Sequence, residues 1–83
     1  MDFGEAQTRV KDLKKSPGND KLLELYALYK QGSTGDVSGK RPGMLDIKGR
    51  AKYDAWAKQK GTSQDDAKTA YVALVERLVA QDG

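Results

Sequence analysis

Apolar residues recur at helical spacing in four separate stretches of the chain, and nowhere do they alternate with polar ones for more than a few residues. That pattern predicts an all-α protein. In the first stretch Phe3, Ala6, Val10 and Leu13 fall at i, i+3, i+7 and i+10, one stripe flanked by Arg9, Lys11, Asp12 and Lys14. The helix is expected to end near Lys15, where Ser16-Pro17-Gly18 breaks the pattern. A second helix is expected from Asn19 or Asp20, either of which caps by accepting backbone N–H groups, through Leu22, Leu25 and Leu28 to about Ser33. Ser16 as cap, with Pro17 in the first helical position, is an alternative earlier start. A third helix follows Leu45-Asp46 and carries Ala51, Ala55 and Trp56 until Gly61 stops it. The fourth has Thr62 or Ser63 as cap, Asp65 and Asp66 in the first turn where the helix dipole favours them, and a stripe of Tyr71, Leu74, Val75 and Leu78.

The stretch between the second and third helices, residues 32 to 48, contains five Gly or Pro residues. It exceeds the roughly 2–8 residues that usually join bundle helices, and connections of that length either serve a site or cross the bundle. Gly39-Lys40 suggests a phosphate-cradling loop, but such a loop needs glycine where Thr34 stands and Ser or Thr where Arg41 stands. Asp36-Val37-Ser38-Gly39 has too few oxygen ligands at the right spacing for calcium.

With 83 residues, 37% of them hydrophobic, the chain is expected to be a single domain over residues 1–83, burying roughly 60% of its extended surface. It has no cysteine, so no disulfide and no thiolate metal site. It has no histidine either. Acid–base or nucleophilic chemistry would therefore fall to Asp, Glu, Lys, Tyr or Ser, no pair of which has a spacing that suggests activation, and an enzyme is not expected. No apolar run approaches a membrane span, and Met1-Asp2-Phe3-Gly4-Glu5 lacks the features of a signal peptide, so a cytoplasmic protein is expected.

The net charge of +3 is unevenly spread. Residues 30 to 60 carry eight cations (Lys30, Lys40, Arg41, Lys48, Arg50, Lys52, Lys58 and Lys60) against Asp36, Asp46 and Asp54, an excess of five. Such an excess draws anions to the segment, although a solvated lysine surface would look the same. Position on the helices narrows the choice. Tyr26, Tyr29 and Lys30 stand at i, i+3 and i+4, so two phenol rings and an ammonium share a face of the second helix. Lys48, Lys52 and Trp56 share a face of the third in the same way. Each tyrosine taken singly reads as a core residue whose hydroxyl reaches the surface, and Trp56 belongs to the core in any case. Convergence of the two faces would give a polyanion with an aromatic base cations for its phosphates and a ring to stack on.

Three motifs add a family resemblance. Tyr29-Lys30-Gln31-Gly32-Ser33-Thr34-Gly35-Asp36, Lys40-Arg41-Pro42-Gly43-Met44-Leu45-Asp46 and Gly49-Arg50-Ala51-Lys52-Tyr53-Asp54-Ala55-Trp56 occur in the order and spacing of the acyl-CoA-binding protein family, and the match continues through Lys60-Gly61-Thr62-Ser63 to Ala70-Tyr71. The chain resembles these small cytosolic four-helix bundles over nearly its whole length. The resemblance implies helices in up-down-down-up order, with the long connection crossing between the second and third. It implies no catalysis and no cofactor, but binding and carriage of medium- to long-chain fatty acyl-CoA esters by a monomer, with acyl-CoA-using enzymes or membranes as transient partners and no nucleic acid.

By the same resemblance, Tyr26, Lys30, Lys52 and Tyr71 surround the adenine and the 3′-phosphate, Lys11 reaches the ligand from the first helix, and Tyr29 and Lys48 complete the wall. Coenzyme A carries roughly four negative charges near neutral pH, which a few lysines answer. Lysine, a mobile point charge, also suits a phosphomonoester that must be released again. The acyl trough is implied between the first three helices, with Phe3, Ala6, Leu23 and Ala51 as walls, positions that from sequence alone serve core packing equally well.

The chain departs from the family pattern at Gly32, where alanine is usual, at Tyr53, where tryptophan is common, and at Gly18-Asn19. Gly32 is expected to loosen the last turn of its helix by about 0.5–1 kcal/mol. Two other classes fit part of the pattern. A nucleic-acid or anionic-surface module would use a basic patch with aromatics, but no helix-turn-helix, ribonucleoprotein or polybasic signature is present. A protein-interaction bundle would leave the Tyr-Lys face without a small ligand.

Overall fold

The computed structural model describes residues 1–82. Helices begin where their free amides find an acceptor. In α1 (Phe3–Lys11) the Asp2 carboxylate accepts from the Glu5 amide at 2.7 Å. In α3 (Ile47–Ala57) Asp46 accepts from the Gly49 amide at 3.0 Å, and in α4 (Gln64–Asp82) the Ser63 hydroxyl, rather than Thr62, accepts from the Asp66 amide at 3.0 Å. The start of α2 (Asn19–Thr34) departs from expectation. Neither Asn19 nor Asp20 caps it; Gly18 holds the cap position, without a side-chain bond, and its carbonyl accepts from the Leu22 amide at 3.0 Å.

Helix α1 also ends at Lys11, four residues before the expected Lys15. The cause lies at the other end of the chain, where the Asp82 carboxylate accepts from the Lys14 and Lys15 amides at 2.9 and 3.1 Å. A longer helix would have used those amides internally. Leu13, outside the helix, still packs against the core.

Side-chain partners fix the direction of every helix. The Phe3 ring meets Tyr71 at 5.1 Å while Lys14 and Lys15 meet Asp82, so α1 and α4 run parallel. The end of α2 meets the start of α4, with the Gln31 side chain donating to the Thr62 carbonyl at 2.7 Å and Gln64 donating to that of Gly32 at 3.3 Å, so these two are antiparallel. Tyr26 faces Lys52 and Lys30 faces Trp56, so α2 and α3 are parallel. The order is therefore up-down-down-up. Parallel neighbours require the connection to travel back the length of α3, about 16 Å, and polar bonds hold it there. The Trp56 indole donates to the Gly35 carbonyl at 2.8 Å, the Tyr53 hydroxyl to that of Gly39 at 3.0 Å, and Arg41 grips Asp54 with two bonds of 2.8 and 2.7 Å. These fastenings matter because α3 buries only Trp56.

The core joins Ala6, Leu25, Leu28, Tyr71, Leu74, Val75 and Leu78, with Phe3, Val10 and Val79 packed around it. Leu22, read as part of the α2 stripe, is instead 47% exposed. At 3.6 residues per turn, positions six apart point about 120° away from each other, so Leu22 and Leu28 cannot share one face. Helix α2 continues through Gly32 to Thr34. A Cβ at Gly32 would lie 2.9 Å from the Lys68 Cγ and 3.5 Å from the Phe3 ring, so the missing side chain lets α4 approach α2 closely.

Three carboxylates are held below their ordinary value of 3.8: Asp36 by the Gly61 amide and then Gln31, Asp54 by Arg41, and Asp82 by the Lys14 and Lys15 amides. Lowered folded-state values stabilise the protein above the ordinary carboxylate value, and that contribution is lost as pH falls through the folded one. Urea unfolding is thus expected to show stability dropping below about pH 4, with a smaller drop in Asp82→Asn. An identical acid loss in that variant would remove Asp82 from the account.

Candidate functional site

The parallel packing of α2 on α3 brings Tyr26 and Lys30 of one helix against Lys52 and Trp56 of the other in a crossed arrangement. The Lys52 ammonium, from α3, lies 5.4 Å over the Tyr26 ring of α2. One turn further along, the Lys30 ammonium, from α2, lies 4.8 Å over the Trp56 ring of α3. Each lysine reaches across to a ring on the other helix, a cation–π contact of about 0.5–1 kcal/mol at an exposed site. Trp56 itself is buried, and its indole bond to Gly35 fixes the ring plane.

Behind Lys30 stands a clamp that sequence reading had not assigned. Gln31 is fully buried, and its amide donates both to the Asp36 carboxylate at 2.8 Å and to the Thr62 carbonyl at 2.7 Å. The same Asp36 oxygen accepts from the Gly61 amide at 2.9 Å, in a turn where Gly61 has a φ of 94°. The end of α2, the connection and the α3–α4 turn are tied at one point, which steadies the last turn of α2 from which Lys30 projects. The available signal was the glutamine in Tyr29-Lys30-Gln31, a residue whose partners are too distant in sequence for spacing to indicate.

Toward the N-terminal ends of α2 and α3 a cleft of about 390 Å³ opens, with Leu22, Leu23, Ile47 and Ala51 as apolar walls. Tyr26, Lys48 and Lys52 also line it, so the charged face and the apolar cleft are continuous. Leu23 and Ala51, two of the residues expected to wall an acyl trough between the first three helices, both line this cleft, which lies between α2 and α3 alone. Leu22 and Ile47 were not expected beside them: Leu22 was read as part of the α2 stripe, and Ile47 stands alone at the start of its helix.

Phe3 and Ala6 lie elsewhere. The backbones of α1 and α2 do not pack on each other, both leaning on α4. The gap is bridged by Phe3, which stacks on Tyr29 at 6.1 Å and 22°, meets Tyr71 edge-on and carries the Lys68 ammonium 5.8 Å over its ring. Ala6 has no exposed surface and belongs to the core. Tyr71, expected at the nucleotide, is only 4% exposed and sits among core residues, its phenol pushed up first by burial and then by Tyr29. Lys11 stands exposed in the last turn of α1, with no ion pair or ring contact joining it to the α2–α3 face. No group of His, Cys, Asp and Glu that could hold a metal occurs among the described residues.

A family model described as "Acyl CoA binding protein" matches residues 1–75. Among curated proteins, the chain is 55% identical over 83 residues to acyl-CoA-binding protein homolog 1 of Caenorhabditis elegans, covering 100% of this chain and 96% of that one. It is 49% identical to the acyl-CoA-binding protein of Dictyostelium discoideum, over 95% of this chain and 94% of the relative. Among solved structures, the crystal structure of Oryza sativa acyl-CoA-binding protein 2 superposes with a TM-score of 0.91 at 37% identity, covering 95% of this chain and 86% of that one. The solution structure of the yeast protein gives 0.76 at 46% identity, over 96% and 93% of the two chains.

Proposed function

The chain belongs to the acyl-CoA-binding protein family, and on that premise we propose that it binds medium- to long-chain fatty acyl-CoA esters and carries them without catalysis. The observation that carries the detailed reading is the crossed pair of lysines. Two ammonium groups one turn apart, each resting on an aromatic ring, meet an incoming phosphate by exchanging a weak cation–π contact for a charge-assisted hydrogen bond. Leaving Tyr26 uncovers its face for the adenine. Tyr29 and Lys48 border the head group, Lys11 swings in from α1, and Tyr71 backs the site through Phe3.

The tail runs down the cleft over Leu23 and Ala51, with Leu22 and Ile47 as further walls, while Phe3 acts from outside it by supporting Tyr29. Ala6 supports from within the core. At about 0.8 kcal/mol per buried CH₂, a tail of about 16 carbons supplies on the order of 10 kcal/mol before the entropy of ordering it is subtracted. Residues 1–83 act as one monomeric domain in the cytosol, passing esters to and from acyl-CoA-using enzymes or membranes and binding no nucleic acid.

Isothermal titration with palmitoyl-CoA, free CoA and palmitate tests the reading. Because charge pairing and tail burial act on one molecule, the ester is expected to bind at least roughly a hundredfold more tightly than either fragment. Palmitate binding as tightly as palmitoyl-CoA would defeat it.

A further inference from the structure

Among the described residues, four of the six large hydrophobic side chains that remain exposed lie together at one end of the molecule. Met44 is 81%, Leu45 100%, Ile47 77% and Leu22 47% exposed. Met44 and Leu45 occupy the turn that enters α3, closed by the Asp46 amide donating to the Gly43 carbonyl at 3.0 Å, so they project from a convex tip rather than line a groove. Neither takes part in the core, and neither lines the cleft. A contiguous apolar patch left in water marks a surface that meets something.

We propose that this tip inserts into the surface of an anionic phospholipid bilayer. The charge near it is complementary: with Arg41 neutralised by Asp54, residues 40 to 52 still carry Lys40, Lys48, Arg50 and Lys52 against the single Asp46, a net of +3. Lys48, exposed, directly follows Ile47. Apolar side chains flanked by cations are what a bilayer with acidic headgroups retains, the cations held at the surface and the side chains below it. A second copy of the chain fits less well, because a symmetric contact would press the same +3 segment against itself. A folded protein partner fits less well too, since four side chains fall far short of the roughly 800 Å² per partner that a stable interface buries.

The orientation that follows rests on the carrier reading. Trp56 lies nine residues beyond Ile47, about 14 Å along α3. With the tip in the bilayer, the apolar end of the cleft opens onto the membrane and the lysine end faces water. An acyl-CoA ester in a bilayer has the same polarity, tail inward and phosphates outward, so it transfers without turning over.

The test uses ligand-free protein and unloaded vesicles. The chain has no cysteine, so Leu45→Cys carries a single environment-sensitive fluorophore at the tip, and Thr69→Cys, exposed on α4, carries it elsewhere. With vesicles of phosphatidylcholine containing about 30% phosphatidylserine, the tip label is expected to shift to the blue and the α4 label to stay unchanged. The double variant Met44→Ser/Leu45→Ser is expected to lower vesicle partitioning roughly tenfold or more, while its titration with palmitoyl-CoA in solution matches wild type. Pure phosphatidylcholine is expected to retain less wild-type protein. The proposal is overturned by partitioning that the double variant leaves intact, by equal shifts at both labels, or by a concentration-dependent dimer that the double variant abolishes while vesicles have no effect. Loss of palmitoyl-CoA binding in solution with vesicle insertion intact would instead remove the carrier reading and leave the tip assigned.

Discussion

Lys30→Ala and Lys52→Ala are each expected to weaken binding of a long-chain acyl-CoA ester by about 1.5–3 kcal/mol, the range for hydrogen bonds to charged groups, or roughly 10- to 150-fold in dissociation constant. In the free protein each ammonium rests on a ring of the neighbouring helix, so removing it loses only an exposed cation–π contact. The melting temperature should barely move. If both lysines address one phosphate group, as proposed, the double variant should lose less than the sum of the two. An acyl ester of dephospho-CoA gives the decisive comparison: wild type binds it more weakly, and the single variants lose little beyond that. A full, additive loss on the dephospho ligand would show that the lysines act elsewhere. Trp56 provides an internal reporter, being the only tryptophan. Binding draws the Lys30 ammonium off its ring, so the ligand-induced change in emission should shrink in Lys30→Ala and persist in Lys52→Ala.

Tyr71→Ala is expected to act mainly on stability. Family resemblance alone favoured a ring at the nucleotide, but the structure buries Tyr71 in one core cluster with Ala6, Leu25, Leu28, Leu74 and Val75, in an edge-on pair with Phe3. Truncating a buried aromatic leaves a cavity and costs about 3–5 kcal/mol, a large part of the roughly 5–15 kcal/mol that holds a domain folded. For a chain of this size the melting temperature falls by more than about 12 °C. Ligand affinity of the folded fraction should weaken only as far as Phe3 and Tyr29 lose their support. Tyr71→Phe keeps the ring and the fold. It also changes the alkaline limit: burial raises the folded-state phenol above its ordinary 10.0, so its share of stability is complete below that value and is lost as pH rises through the raised one. Denaturant unfolding near pH 11 should show a smaller alkaline loss in Tyr71→Phe than in wild type. An unshifted melting temperature in Tyr71→Ala, with binding abolished, would return the ring to the nucleotide.

The lysines and Tyr71 differ in what made them legible. Spacing of three and four residues is a local property, so Tyr26 with Lys30, and Lys52 with Trp56, could be assigned to shared faces before any fold was known. The same locality made the α4 stripe, the Asp46 cap and the all-α class readable. Burial is not local. Tyr71 lies on a face that serves core or ligand equally until α1 brings Phe3 against it, and Leu22 shared a loose stripe with Leu28 although the helix turns it onto the cleft wall.

By itself, then, the sequence determined the helix class, the approximate spans of four helices, the concentration of cations between residues 30 and 60 and the motifs that join the chain to its family. Tertiary structure decided where α1 stops, because its competing acceptor, Asp82, lies 67 and 68 residues away. It decided that Gln31 and Asp36 clamp the end of α2 to the α3–α4 turn, and that each site lysine rests on a ring of the opposite helix. It also decided that Met44 and Leu45 are left in water rather than folded inward. The dividing line is physical: periodicity and capping depend on neighbours a turn or so apart, whereas these contacts depend on which distant segments the packed core brings together.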